Sequence, residues 1–65
     1  MTIVLNGQPH ETGAATCEAL IAELGLAGQR VALERNQAMI PRRLWADTPL
    51  AAGDRIEVVQ FVGGG

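Results

Sequence analysis

The pattern of apolar and polar residues divides the chain into short strands and one amphipathic helix. Residues Thr2–Leu5 are β-branched or aliphatic and run into Asn6-Gly7. This dipeptide is typical of two-residue hairpin turns, because both of its positions tolerate positive φ. Gln8–Glu11 follows as the returning strand. The chain is therefore predicted to open with a β-hairpin.

A helix is predicted after this hairpin. Thr16 can cap its first turn through the side-chain hydroxyl. The apolar residues that follow have the spacing of one buried helical stripe: Cys17, Leu20, Ile21 and Leu24. Gly25 suits the left-handed residue just past a helix end. The stripe predicts a helix of about two turns, with Cys17 as a buried core thiol rather than a reactive one.

The second half of the chain has the pattern of three more strands. They are predicted at Arg30–Glu34, Ala38–Ile40 and Arg55–Val62, with a helical turn at Arg42–Trp45 between the last two. The complete order is β-β-α-β-β-β. This order predicts an α+β domain with one main helix packed across a mixed sheet of four to five strands.

Alternation along the last strand assigns its residues to two faces. Ile56 and Val58 should lie under the helix, whereas Val59 and Phe61 should lie on the opposite face. An exposed apolar patch often marks a binding surface, although packing against a loop would give the same pattern.

Composition excludes several classes of function. The chain has 65 residues, enough for one small domain. Its single cysteine and single histidine rule out an internal disulfide and cysteine- or histidine-rich metal clusters. A net charge of −2 argues against nucleic-acid binding. With no apolar run long enough to cross a membrane and no secretory signal, a cytoplasmic location is expected.

The chain finishes with Gly63-Gly64-Gly65. Three glycines cannot pack, so a flexible tail is expected after a domain of residues 1–62. Such a tail lacks Cβ atoms and could thread a narrow channel, presenting the terminal carboxylate to a partner. The carboxylate is ionised at neutral pH and would need activation before a nucleophile could attack it. Taken alone, the glycines favour simple fraying over a function for the tail.

In this order and at this length, the landmarks resemble the ubiquitin-like β-grasp sulfur carriers, and among them the small carriers of thiamine biosynthesis. The resemblance spans the whole chain and is carried by these residues: Asn6-Gly7, Asn36, Ile40-Pro41-Arg42, Trp45, Gly53-Asp54-Arg55-Ile56, Gln60 and the terminal glycines.

The resemblance implies a protein that is acted on by enzymes and is not itself one. An E1-like adenylating enzyme of the ThiF type would activate the carboxylate of Gly65, using ATP and magnesium that the carrier does not bind. A cysteine desulfurase or another persulfide donor would then supply sulfur. The resulting thiocarboxylate would deliver it to a thiazole synthase of the ThiG type.

The candidate site residues come from this resemblance and from the alternation along the last strand. Gly65 would carry the chemistry, and Gly63 and Gly64 would enter the partner. Contact with partners is predicted for an apolar group beside the tail and for one arginine: Val59, Phe61, Val62 and Arg42. Trp45 is expected to be a core residue, and His10 a solvated surface residue.

Two alternatives remain open from the sequence. The small subunit of molybdopterin synthase shares the fold, the diglycine end and the thiocarboxylate, although such chains tend to be longer and richer in aromatic residues. A ubiquitin-like interaction module would bind its partner without covalent chemistry, and is not expected to end at the diglycine.

Overall fold

A computed structural model describes residues 1–61, and these form the predicted succession of elements. In chain order the elements are β1 (Thr2–Leu5), β2 (Gln8–Glu11), α1 (Cys17–Glu23), β3 (Val31–Arg35), β4 (Ala38–Met39), a 3₁₀ helix (Arg42–Asp47) and β5 (Arg55–Gln60). The last strand is shorter than predicted, since it ends at Gln60. The predicted glycine tail lies outside the described residues.

Within this range the strands form a five-stranded mixed sheet in the order β2-β1-β5-β3-β4. β1 and β5 run parallel, and the pairs β1–β2, β3–β4 and β3–β5 are antiparallel. The predicted α+β class is therefore confirmed. The strand that comes last in the chain occupies the centre of the sheet, so the tail-bearing segment is held on both sides.

Both hairpins close through two residues with positive φ. Asn6 and Gly7 have φ values of 50° and 82°, and Asn36 and Gln37 have values of 51° and 73°. Turns of this kind match the right-handed twist of the flanking strands. Gln37 occupies a position that glycine would fill without steric conflict.

Helix α1 is short, and its stability depends on the hydrogen bonds that cap both of its ends. The Thr16 hydroxyl accepts a hydrogen bond from the Ala19 N–H at 3.1 Å. At the other end Gly25 has φ of 75°, and the Leu26 N–H donates to the Ile21 carbonyl at 3.0 Å. This arrangement is a Schellman motif, which satisfies carbonyls left free at the helix end. Seven residues would not hold a helix in isolation.

The core lies between α1, the 3₁₀ helix and the inner face of the sheet. Its buried members are Ile3, Ala14, Cys17, Leu20, Ile21, Leu33, Trp45, Leu50 and Ile56. Trp45 is 5% exposed, and its indole N–H donates to the Ile40 carbonyl at 2.9 Å. The prediction of Trp45 as a core residue is confirmed. None of the helices in the described range has the length and apolar character needed to cross a membrane.

A buried carboxylate joins three separate segments at the start of β5. Asp54 is 7% exposed, and its side chain accepts hydrogen bonds from Arg35 Nε at 2.8 Å, the Ala51 N–H at 2.8 Å and Asn36 Nδ2 at 3.1 Å. Its backbone carbonyl accepts from the Val4 N–H of β1 at 2.9 Å. Asp54 thereby ties β1, the β3–β4 hairpin and the turn before β5 together.

The same contacts shift the acidity of this group. Burial alone raises the pKa of Asp54, but the hydrogen bonds from Ala51, Arg35 and Asn36, together with the positive charge of Arg35, hold it below its ordinary value. A lowered pKa in the folded state stabilises the fold above the pKa of the unfolded chain. That contribution is lost as pH falls through the folded-state value.

Gln37→Gly is expected to raise the free energy of unfolding by about 0.5–1 kcal/mol, because glycine adopts positive φ without steric conflict. Urea denaturation followed by fluorescence of Trp45, the single tryptophan, would measure the change. Gln37→Ala is the matched control, since alanine keeps the strain and should give no gain. Equal stabilisation by both variants would contradict the role assigned to φ.

Asp54→Asn is expected to lower the free energy of unfolding at pH 7 by about 2–3 kcal/mol, because the charged partner of Arg35 is lost. The difference in unfolding free energy between variant and wild type should begin to narrow below the ordinary aspartate pKa of about 4, where the unfolded chain takes up a proton, and should close as pH falls through the lower pKa of Asp54 in the folded state. Urea titrations at neutral and acid pH provide the measurement.

Asp47→Asn removes an exposed carboxylate without a hydrogen bond or ion pair in the described range, and serves as the control. It should stay within about 0.5 kcal/mol of wild type at both pH values. If the free energy of unfolding of Asp54→Asn were lower than that of wild type by the same amount at both pH values, the stabilisation would not come from the carboxylate charge.

Candidate functional site

Strand β5 leads directly into the predicted tail. The Phe61 N–H donates to the Arg30 carbonyl at 2.8 Å, one residue beyond the end of the strand. Pairing between β5 and β3 is continuous. It runs from the pair of Gln60 with Val31 to the pair of Ile56 with Arg35, so β5 has no bulge within residues 56–60. The root of the tail is therefore fixed at the centre of the sheet.

Two asparagine side chains hold this strand from opposite sides. Asn36 Oδ1 accepts from the Arg55 N–H at 2.9 Å, and Asn6 Oδ1 accepts from the Val58 N–H at 2.8 Å. Each asparagine comes from one of the two hairpin turns. The turns therefore fasten β5 at two points in addition to reversing the chain.

Continuous pairing gives β5 the predicted alternation of faces. Ile56 is 1% exposed and belongs to the core, whereas Val59 and Phe61 are 55% and 59% exposed. On the neighbouring strands the same side of the sheet also displays Ala32 opposite Val59, and Met39 at the edge. We call the sheet surface turned away from α1 the outer face. Its described residues near the tail are Ala32, Glu34, Met39, Glu57, Val59 and Phe61.

Arg42 lies away from this face. Its guanidinium donates to the Gln29 carbonyl and sits over the Trp45 ring, 5.1 Å from the ring centroid. Such a cation–π contact is worth about 0.5–1 kcal/mol when exposed. The structure thus gives Arg42 contacts within its own domain and does not group it with Val59 and Phe61.

A shallow depression of about 180 Å³ opens beside Arg42 and Trp45. The depression is also lined by three residues of α1: Glu18, Ile21 and Ala22. It is open to solvent and smaller than the pockets that usually bind drug-sized ligands.

Cys17 belongs to the core, as predicted. The side chain is fully buried, and burial raises the pKa of the thiol, with the Asp54 charge adding to the effect and Arg35 opposing it. A protonated, inaccessible thiol is a poor nucleophile.

His10, predicted to be a solvated surface residue, makes a side-chain contact with helix α1. Its Nε2 lies 3.1 Å from a carboxylate oxygen of Glu23 on α1, and the Thr12 hydroxyl donates to the other oxygen of that carboxylate at 2.8 Å. These two hydrogen bonds hold the pKa of Glu23 below its ordinary value. The sequence pattern did not reveal this contact, because the partners are thirteen residues apart on different elements.

The remaining predicted site residues, Val62, Gly63, Gly64 and Gly65, lie outside the described residues. Inside the described range, no three His, Cys, Asp or Glu side chains are arranged to hold a metal ion. The described residues thus form a folded domain with an exposed apolar face where the predicted tail begins.

Comparison with known proteins identifies the family. The ThiS family model matches residues 3–65. A crystal structure of the thiamine biosynthesis protein ThiS from Geobacter metallireducens is 30% identical, covers 100% of both chains and superposes with a TM-score of 0.81.

Two further relatives are larger proteins. Thiazole synthases from Magnetococcus marinus and Paramagnetospirillum magneticum are 47% and 41% identical over 66 aligned positions, which cover 100% of this chain. The chain spans 20% of the length of each of these relatives. The match over nearly every residue, together with the shared fold, shows that the chain belongs to the ThiS family, the β-grasp family that its sequence resembles.

Proposed function

We propose that the chain carries sulfur on the carboxylate of Gly65 and delivers it for synthesis of the thiazole ring of thiamine. The observation that carries this proposal is the family match, which extends through the terminal glycines to residue 65. The fold supports it, because β5 ends in the centre of the sheet and four residues follow Phe61. Fully extended, four residues reach at most about 14 Å beyond the domain.

The chemistry begins with activation. An E1-like enzyme transfers AMP from magnesium-bound ATP to the Gly65 carboxylate, releasing pyrophosphate. The terminal sulfur of a persulfide, made by a cysteine desulfurase or an equivalent donor, attacks the acyl carbon and expels AMP. A thiol then cleaves the remaining S–S bond, leaving a thiocarboxylate on the carrier and a disulfide on the donor side.

The final acceptor is a thiazole synthase. Two relatives that bear this name include a segment similar to the whole chain, which supports a lasting association between carrier and synthase. The names of the relatives also favour the thiamine pathway over molybdopterin synthesis. In this scheme the carrier supplies no acid, base or metal.

Recognition by both partners is assigned to the root of the tail. Val59, Val62 and Phe61 would provide apolar contact, while Gly63 and Gly64 would pass through a channel too narrow for a Cβ atom. Arg42 remains a predicted partner contact at the side of the domain. The Arg42 guanidinium would contact a partner either while it stays over the Trp45 ring or after it has moved away from that ring.

Deletion of Gly65 is expected to abolish activation while the fold is retained, because residues 1–61 make all of the described packing. Incubation with the cognate E1-like enzyme, ATP, magnesium and a persulfide donor, followed by intact-protein mass spectrometry, would detect the adenylate and the exchange of oxygen for sulfur. Gly13→Ala is a suitable control, since Gly13 has open space around it and does not have positive φ. A wild-type chain that never acquires the modification would contradict the proposal.

Phe61→Ala is expected to reduce the rate of adenylation at limiting carrier by tenfold or more, because exposed aromatic residues at interfaces often dominate binding. Since Phe61 is 59% exposed, the free energy of unfolding should change by no more than about 0.5 kcal/mol. Leu44→Ala, on the 3₁₀ helix away from the outer face, is the control for loss of a partly exposed apolar side chain. Equal rates for Phe61→Ala and wild type would remove Phe61 from the docking surface.

A further inference from the structure

Two glutamates of the outer face lie directly opposite each other. Glu34 on β3 pairs with Glu57 on β5 in the antiparallel ladder. Both side chains point away from the core, because their neighbours Leu33 and Ile56 are buried. Side chains opposed in this way have Cβ atoms about 5 Å apart, and like charges at such positions destabilise the sheet.

No cation within the described residues forms an ion pair with either carboxylate. The ion pairs within 4.0 Å in residues 1–61 join the terminal amine to Glu11, His10 to Glu23, and Arg35 to Asp54. Arg55 shares a face with Glu57 but lies beyond that distance from both carboxylates. Like charges at directly opposed positions destabilise a sheet, so one neutral substitution in this pair is expected to stabilise the free domain.

The surroundings of the pair are apolar and exposed. Met39 lies opposite Glu34 on β4 and is 60% exposed, while Val59 and Phe61 continue the same face toward the tail. A partner that covers these side chains must also remove water from the two carboxylates. Buried charges are tolerated only when they are paired, so the partner must supply a cation at this point.

We propose that the outer face is a docking surface for thiazole synthase, and that an arginine or lysine of the synthase inserts between Glu34 and Glu57. Apolar side chains of the synthase then surround that cation and contact Met39, Val59 and Phe61. This inference rests on the proposed function. The synthase is chosen as occupant because relatives named thiazole synthase contain a segment similar to the whole of this chain.

Neutralising these carboxylates should have opposite effects on the two states, because the substitution should stabilise the free carrier and weaken the complex. Glu34→Gln and Glu57→Gln should each raise the Tm of the free domain by about 2–5 °C, because one substitution removes the repulsion. The double variant should gain no more than either single variant. Affinity for thiazole synthase should fall about tenfold in the double variant, with a smaller difference at high salt.

The test uses the full chain and the thiazole synthase of the same genome, with calorimetric titration for binding and thermal unfolding for Tm. Glu18→Gln is the matched control, because it removes the same charge from α1, outside the outer face. It should neither raise the Tm nor weaken binding. A charge-reversed Glu57→Arg variant should bind more weakly than Glu57→Gln.

Unchanged synthase affinity in the double variant would overturn the inference, as would a fall in Tm on neutralisation or no binding by the wild-type chain. Formation of the thiocarboxylate needs no synthase, so it tests the proposed sulfur chemistry separately. A chain that acquires sulfur but binds equally well without the two carboxylates would contradict only the docking proposal.

Discussion

The buried carboxylate of Asp54 is the interaction on which the placement of β5 depends. It receives hydrogen bonds from the hairpin that ends β3, from the turn that precedes β5 and from an arginine side chain. Its own carbonyl pairs with β1. Because β5 pairs with β1 at only two positions, this junction strengthens the attachment at the start of the strand. A small domain has too little buried area to fix such a strand by packing alone.

From this junction the two faces of the sheet take separate roles. The inner face is committed to the core through Ile3, Leu33 and Ile56, with α1 packed on it. The outer face keeps exposed apolar side chains and two opposed carboxylates, neither of which favours the free domain. Stability thus comes from one side of the sheet, and recognition is assigned to the other, beside the point where the tail begins.

Much of this arrangement could be predicted from the sequence, because its signals are local. Asn6-Gly7 specified a hairpin, Thr16 and Gly25 bounded the helix, and alternation along β5 assigned Ile56 and Val59 to opposite faces. Each of these signals depends on neighbouring residues and on backbone conformation, so no tertiary contact is needed to recognise it. The elements and the fold class were accordingly correct, apart from small shifts at their ends.

The sequence by itself determined the set of elements, the buried stripe of the helix and the resemblance to the family. Only the tertiary structure decided that Asn36 and Asp54 join into one polar junction and that Glu34 faces Glu57. These contacts join residues on different elements, and strand register places them side by side. Register depends on the whole sheet, so a linear pattern of residue types cannot reveal it.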